Sequence, residues 1–357
     1  MRPETALPLR GDGLRRFYRR KGPEPHLSRS RAMLRAHPDL RELVGPDPRT
    51  LVLCVAAPAA QVALAAWTAT LPVVALLLVA YVVGAWLSHV CWVLIHESTH
   101  NLVARSRGAN HVGGLLANVP LLLPAYAGFR KFHLLHHRRQ GDYRSDADLP
   151  SVLEARRFGR SPLAKAVWFL AYPVIQLRRT ARLRAHPVLD GLVGWNVALT
   201  LGSNVALFFL VGPWGLLYLA VSTFASVGLH PLGARWIQEH YVFRPPQETY
   251  SCYSPANVLQ LNVGCHVEHH DLPHVAWHRL PQVRRRAPEF YEDLHAHRSW
   301  TRLLLTFLFS RRVSLFTRVV ADEPAAAFAR RARARGEDAV ASSADAAPAQ
   351  PLAAERT

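Results

Sequence analysis

Two stretches near the start of the chain contain no Asp, Glu, Lys or Arg. Leu51 to Trp67 reads LVLCVAAPAAQVALAAW, and Leu71 to Ile95 reads LPVVALLLVAYVVGAWLSHVCWVLI. Gly191 to Val211 and Gly215 to Leu229 are two more, separated by Gly212, Pro213 and Trp214. About 20 apolar residues are needed to cross ~30 Å of hydrocarbon as a helix. The runs therefore predict an all-α integral membrane protein with four transmembrane helices, at about residues 51–69, 71–95, 191–211 and 214–230. Pro58 falls inside the first, which membrane helices tolerate. The fourth is short and tilted or only partly spanning. A soluble protein with fully buried helices is the alternative, and the hydropathy disfavours it.

The charges are segregated from these runs. The chain carries 43 Lys and Arg against 25 Asp and Glu, a formal charge of +18. The joins between runs, Thr68 to Thr70 and Gly212 to Trp214, hold no Lys or Arg. The basic residues fall in the N-terminal arm, between Arg105 and Arg184, and from Arg235 onward. Basic loops stay cytoplasmic, so the pattern predicts two hairpins that enter from the cytoplasm and return, with both termini and the polar bulk on that side. The chain divides into a basic arm (1–50), a membrane domain (51–320) and an Ala- and Arg-rich tail (321–357) expected to be disordered. Residues 112–126, 164–177 and 303–309 are apolar but too short or interrupted to span, and read as interfacial or re-entrant. The N-terminus is charged, without the apolar core of a cleavable signal. No nucleic-acid fold signature accompanies the basic charge. Four scattered cysteines give no disulfide framework, and Cys54 and Cys91 read as small core residues.

The histidines ask for a separate reason. There are 19, and they cluster as His96-Glu97-Ser98-Thr99-His100, His133-Leu134-Leu135-His136-His137 and His266-Val267-Glu268-His269-His270, with His240 after Glu239. On a helix, positions three and four apart share a face, so each cluster aims two or three imidazoles at one place. An HExxH alone is compatible with a zinc hydrolase, here a membrane metalloprotease. The two further clusters supply more ligands than one tetrahedral zinc accepts. A non-enzymatic metal transporter or sensor would need histidines along the spans, and these lie mainly outside them. Imidazoles in this number suit two metal ions of higher coordination, and a histidine-rich pair of irons that activates dioxygen at the membrane face is the preferred reading. His37, His186, His295 and His297 read as ordinary solvated or hydrogen-bonded side chains. His89 lies seven residues before His96, on one helical face, as a ligand, a supporting contact or a buried polar contact. Glu97, Glu239, Glu268 and Asp271 abut histidines, and Asp146 and Asp148 follow the second cluster. Such carboxylates hold the free ring N–H of metal-bound histidine, or serve as simple surface charge.

HESTHN, FRKFHLLHHRRQGDYRSDADLP and LNVGCHVEHHDLP resemble the three histidine boxes of the membrane-bound fatty-acyl desaturase and hydroxylase superfamily. AHPDLRELVGPDP, LHPLGARWIQEHYVF, QETYSCYSPANVLQLNVGCHVEHHDLPHV, Tyr291-Glu292-Asp293-Leu294 and Ser299-Trp300 resemble the sphingolipid delta-4 desaturase (dihydroceramide desaturase) family. The resemblance covers roughly residues 12 to 320. It implies a cytoplasmic di-iron cap that uses dioxygen and two electrons to oxidise a methylene pair of a long-chain lipid, most simply the sphingoid base of a dihydroceramide-like sphingolipid. Carried over by position, the metal ligands are His96, His100, His133, His136, His137, His266, His269 and His270, with His240 as the additional histidine between boxes. The family commonly has a histidine where this chain has Arg235, which puts conversion at the headgroup end of the lipid in question. Desaturation or hydroxylation of another fatty-acyl lipid fits the same boxes. The sequence has no GxGxxG after a strand, no iron–sulfur cysteine set and no His-Pro-Gly-Gly of a fused cytochrome. A separate ferredoxin or cytochrome b5 type carrier and its reductase are therefore expected, and basic loops suit an acidic carrier.

Overall fold

A computed structural model describes residues 12–183 and 189–322. The expected disordered tail beyond Asp322, the first residues of the basic arm and His186 lie outside the described residues. Among the described residues the chain is helical apart from one pair of short strands. In order it forms β1 (Tyr18–Arg20), α1 (Pro25–Ala36), α2 (Thr50–Thr68), α3 (Val73–Thr99), α4 (Arg107–Asn118), α5 (Tyr126–Arg139), α6 (Val152–Phe158), α7 (Pro162–Leu170), α8 (Tyr172–Arg182), α9 (Gly191–Val227), α10 (Arg235–His240), α11 (His266–Asp271), α12 (Leu280–Arg286), α13 (Trp300–Phe309) and β2 (Val319–Ala321).

Three stretches are long and apolar enough to cross a membrane: Thr50–Thr68, Val73–Thr99 and Gly191–His240. They rise to four only if α4 with its 3-10 extension and α5, bent by 117°, count as one span. The two later spans expected from the sequence both lie within α9, whose helix is broken at Gly212 (φ 67°, ψ −177°). Only glycine adopts such a backbone cheaply, and Pro213 follows where a new helical start has no need of its N–H. Residues on both sides of that break, Leu207, Val211, Tyr218 and Leu219, share one apolar cluster with Ala65 of α2 and Leu76 and Ala80 of α3. Tyr218 Oη donates to Gln61 Oε1 at 3.2 Å, and Gln61 Nε2 donates to Ser88 Oγ at 2.9 Å. Polar side chains thus pair with one another in a region where water is absent.

The interior of α3 contains a π-helical turn, Ala80–Gly84. Such turns insert one residue and rephase the remainder of the helix, here the face that ends in His96 and His100. Gly84 stands directly against α9, where an added Cβ would lie 2.0 Å from Ser222 Oγ.

The remaining apolar segments pack around this frame. Residues 112–126 lie in α4 and the turn to α5, 164–177 split between α7 and α8, and Trp300–Phe309 is too short to span. Lys165 of α7 is buried, and its Nζ donates to the carbonyls of Phe307, Ser310 and Val313 at 2.7–2.8 Å. It thereby satisfies the end of α13, whose last carbonyls have no helical partner. The two ends of the described chain meet in a parallel pair, Tyr18 opposite Val319. A second apolar cluster, with Met33, Leu40, Val267, Val275 and Val283, fastens the N-terminal segment onto α11 and α12.

Gly84→Val should destabilise the protein by about 1–3 kcal/mol, the usual cost of overpacking. A thermal scan in detergent checks this, with a lowered Tm expected and Ser222→Gly expected to restore part of it.

Candidate metal centre and family

Four elements deliver the clustered histidines. The C-terminal turn of α3 carries His96 and ends at His100, α5 carries His133, His136 and His137, α10 ends on His240, and α11 carries His266, His269 and His270. The start of α5 is held without water. Asn118 Oδ1 accepts from the N–H groups of Ala125 and Tyr126, and Asn196 Oδ1 accepts from Ala127 N–H. Side-chain oxygens of this kind take the place of the missing carbonyls at a helix start. Arg130, one turn before His133, donates to the carbonyls of Ser98 and Thr99, and so ties α5 to the end of α3.

The result is two adjoining groups. Ligand atoms of His96, His100, His133, His137 and His269 lie within 4.8 Å of one another, and so do those of His136, His240 and His270. His266 Nε2 is 3.1 Å from His240 Nε2. The contacts are nitrogen to nitrogen: His96 to His269 and His100 to His133 at 3.0 Å, His133 to His137 and His137 to His269 at 3.1 Å, His136 to His240 at 3.0 Å, all through Nε2. All nine box and inter-box histidines are therefore brought together.

The carboxylates divide. Asp146 Oδ1 faces His136 Nδ1 at 3.0 Å, and Asp148 lies 3.7 Å from the same nitrogen. Asp146 is itself fixed by N–H groups of Gly141 and Asp148. Glu97 lies 3.6 Å from His96 Nδ1 and accepts from the Trp277 N–H. Glu239 lies 3.7 Å from His266 Nδ1 and pairs with Arg235. Glu268 instead accepts from Ser251 and Tyr253, and Asp271 binds His26, Arg29 and Tyr291. Neither reaches a clustered imidazole, because on the short helix α11 they point away from the face that carries His266, His269 and His270. His89 lies outside both groups and pairs with Gln260. His37 binds Glu289 at the surface, and His295 and His297 pack edge-on and tilted against Tyr250, away from the groups.

Sequence reasoning missed a layer drawn from distant segments. His26 Nε2 lies 2.8 Å from Thr249 Oγ1, which lies 3.3 Å from His240 Nδ1, and Gln140 Nε2 reaches the same nitrogen at 3.3 Å. Nothing in the spacing of these residues signals the contact. Only the long reach of the N-terminal arm makes it.

This geometry fits metal ions. Burial, reinforced by neighbouring imidazoles, holds His269 and His270 well below the ordinary imidazole range, so their nitrogens stay neutral. Burial also opposes charge on His136, but Asp146 and Asp148 outweigh it and raise that imidazole above its usual range. Asp146 takes the Nδ1–H, Nε2 is the atom aimed at His240, and a bound metal would take the place of the proton on it. His270 Nε2 is buried with no hydrogen-bond partner. Lone pairs facing one another at about 3 Å repel unless a proton or cation lies among them, and neutral imidazole is a good ligand for iron, copper and zinc. Five nitrogens gathered about His96 and His100 are too many for a catalytic tetrahedral zinc. The metalloprotease reading finds no support in this arrangement.

Residues 51–303 match the family model described as fatty acid desaturase, and residues 14–49 match the one described as sphingolipid Delta4-desaturase. The chain belongs to the fatty acid desaturase family, a class of membrane oxidoreductases, and the matched residues include all nine of the clustered histidines. A sphingolipid delta(4)-desaturase DES1-like protein of Oryza sativa subsp. japonica is 38% identical over 306 residues, 84% of this chain and 91% of that protein. A sphingolipid delta(4)-desaturase of Drosophila melanogaster is 36% identical over 83% of this chain and 92% of its own length. A sphingolipid delta(4)-desaturase/C4-monooxygenase of Homo sapiens is 35% identical with the same coverage. Within the class, the chain belongs to the sphingolipid delta(4)-desaturase family.

Loss of the carboxylate behind a ligating histidine costs about 10–100-fold in metal affinity. Asp146→Asn should therefore weaken metal binding by that factor. Titration of chelator-stripped protein with ferrous ion measures it, and an unchanged affinity would remove Asp146 from the centre.

Proposed function

We propose that this protein desaturates the sphingoid base of a dihydroceramide-like sphingolipid at the delta-4 position, using two iron ions. The observation that carries the reading is the convergence of nine imidazoles, in a chain whose relatives of similar length are named as delta(4)-desaturases. His96, His100, His133, His137 and His269 would hold one iron, and His136, His240, His266 and His270 the other. Iron with dioxygen and two external electrons supplies the oxidising power to remove two hydrogens from adjacent methylenes, leaving an alkene and, with two protons taken up, two waters.

An unactivated C–H bond offers no acidity to a side-chain base, so the protein's part is position and exclusion of water. A cleft lined by Val93, Leu261, Val263 and Leu280 opens on His96, His266 and His269. These apolar side chains would meet a methylene chain brought to the metal centre, with Glu97, Arg235 and Glu239 in the same lining. Glu97 and Glu239 would orient His96 and His266, and Asp146 holds His136. Hydroxylation at C4 is the second reading, favoured by the double name of the human relative.

The same reading places the arm 1–50, the membrane domain 51–320 and the tail 321–357 on the topology expected from charge. The shared cluster across the Gly212 break supports a return of α9 as a hairpin, with the histidine cap and both termini cytoplasmic. A separate acidic electron carrier, of ferredoxin or cytochrome b5 type, would dock on the basic cytoplasmic surface.

Expression in a host that makes saturated dihydrosphingolipids, followed by lipid mass spectrometry, tests the activity. Loss of two mass units from the sphingoid base is expected, and is absent in His269→Ala. Gain of sixteen identifies the hydroxylase. No change with working electron partners present contradicts both. Reporter fusions should place both termini in the cytoplasm, and a C-terminus on the far side overturns the topology.

A further inference from the structure

The cleft beside the histidines has one cationic wall residue. Arg235 is only 7% exposed and faces the same space as His96, His266 and His269. Its Nη1 donates to Glu239 Oε1, and its guanidinium lies 4.1 Å from the centroid of the Trp236 ring. Its Nε is nevertheless buried with no partner. A buried donor of a charged group left unpaired is costly, and persists where something is meant to meet it.

Two more unpaired atoms lie close by. His89 sits one turn before Val93 on the same face of α3, and Gln260 immediately precedes Leu261. Both neighbours line the cleft. His89 Nδ1 faces Gln260 Oε1. The proton therefore sits on Nδ1, and His89 Nε2 is an acceptor. That nitrogen and Gln260 Nε2 are both buried without partners. Two donors and one acceptor thus stand unsatisfied, one on the wall of the cleft and two on residues next to that wall.

We propose that Arg235, Gln260 and His89 form a polar recess that binds the hydroxyl–amide end of the substrate and fixes which methylene pair lies at the metal centre. The proposal rests on the sphingoid reading above. The complement matches: a hydroxyl oxygen and an amide carbonyl accept from Arg235 and Gln260, while an amide N–H or hydroxyl donates to His89. Glu239 already balances the Arg235 charge, so the pair offers a directed donor rather than a free cation. That favours an uncharged oxygen function over a phosphate. In a delta-4 sphingoid base, the carbon that bears the 3-hydroxyl is bonded to the first carbon oxidised, so a hydrogen bond there sets the register. A plain acyl chain has no group at that position and would leave all three atoms unpaired.

The test is equilibrium binding of a short-chain dihydroceramide and its 3-deoxy counterpart to the iron-loaded full-length protein in nanodiscs, without reductant. Wild type should bind the 3-deoxy compound about tenfold or more weakly. Arg235→Lys keeps a charge for Glu239 but removes the Nε–H. It should bind dihydroceramide about tenfold less tightly and discriminate little between the two compounds, with iron content unchanged. Gln260→Met provides a second variant should the lysine protein fail to fold, and should likewise blunt discrimination against compounds altered at the hydroxyl–amide end. Wild-type binding of dihydroceramide with undiminished discrimination in the variants overturns the recess alone. Failure of wild type to bind dihydroceramide at all overturns the sphingoid reading and the recess together.

Discussion

Eight imidazoles meet at nitrogen-to-nitrogen distances near 3 Å in a buried setting, and the ring of His270 packs among them. Where neither a proton nor a cation lies between two such nitrogens their lone pairs repel, a cost that burial away from water increases. Much of the rest of the structure serves to hold those rings in place. The elements that bring them are short or end abruptly. α10 and α11 have six residues each, and α3 stops at the turn that contains His100. Short helices are not stable by themselves, so their positions come from tertiary contacts.

Those contacts are polar and specific where the surroundings are driest. Asn118 and Asn196 satisfy the start of α5, and Arg130 binds α5 to the end of α3. Lys165 closes the end of α13 in the same manner. In each case a single side chain supplies the hydrogen bonds that water would supply elsewhere. The N-terminal arm adds a further layer, for His26 and Thr249 reach the back of His240, and Asp271 holds His26. An arm that looks like a basic extension in the sequence is thus part of the support of the centre.

The apolar runs and the histidine clusters were legible because each arises from local spacing. A charge-free run of span length has few alternatives, and HxxHH on a helix aims its rings at one point. The positions of Glu97, Glu239 and Asp146 beside histidines were also readable, since they are near in sequence. What could not be read depends on single residues or long range. The packing of both halves of α9, across the break at Gly212, onto Ala65 and Leu76 is one such case. Glu268 and Asp271 abut histidines in sequence, yet their side chains serve Tyr253 and His26 on other segments. The partners of His240 come from residues 26, 140 and 249, and no local pattern links those positions.

The central claim is that the nine histidines hold two irons in two unequal groups. Metal analysis of protein purified after iron-replete expression, with a His240→Ala variant alongside, tests it most directly. The account predicts about two irons per chain in the parent. In the variant it predicts close to one, because the five-histidine group about His96 does not include His240. A parent that carries one metal, or only zinc, or a variant that keeps both irons, would contradict it.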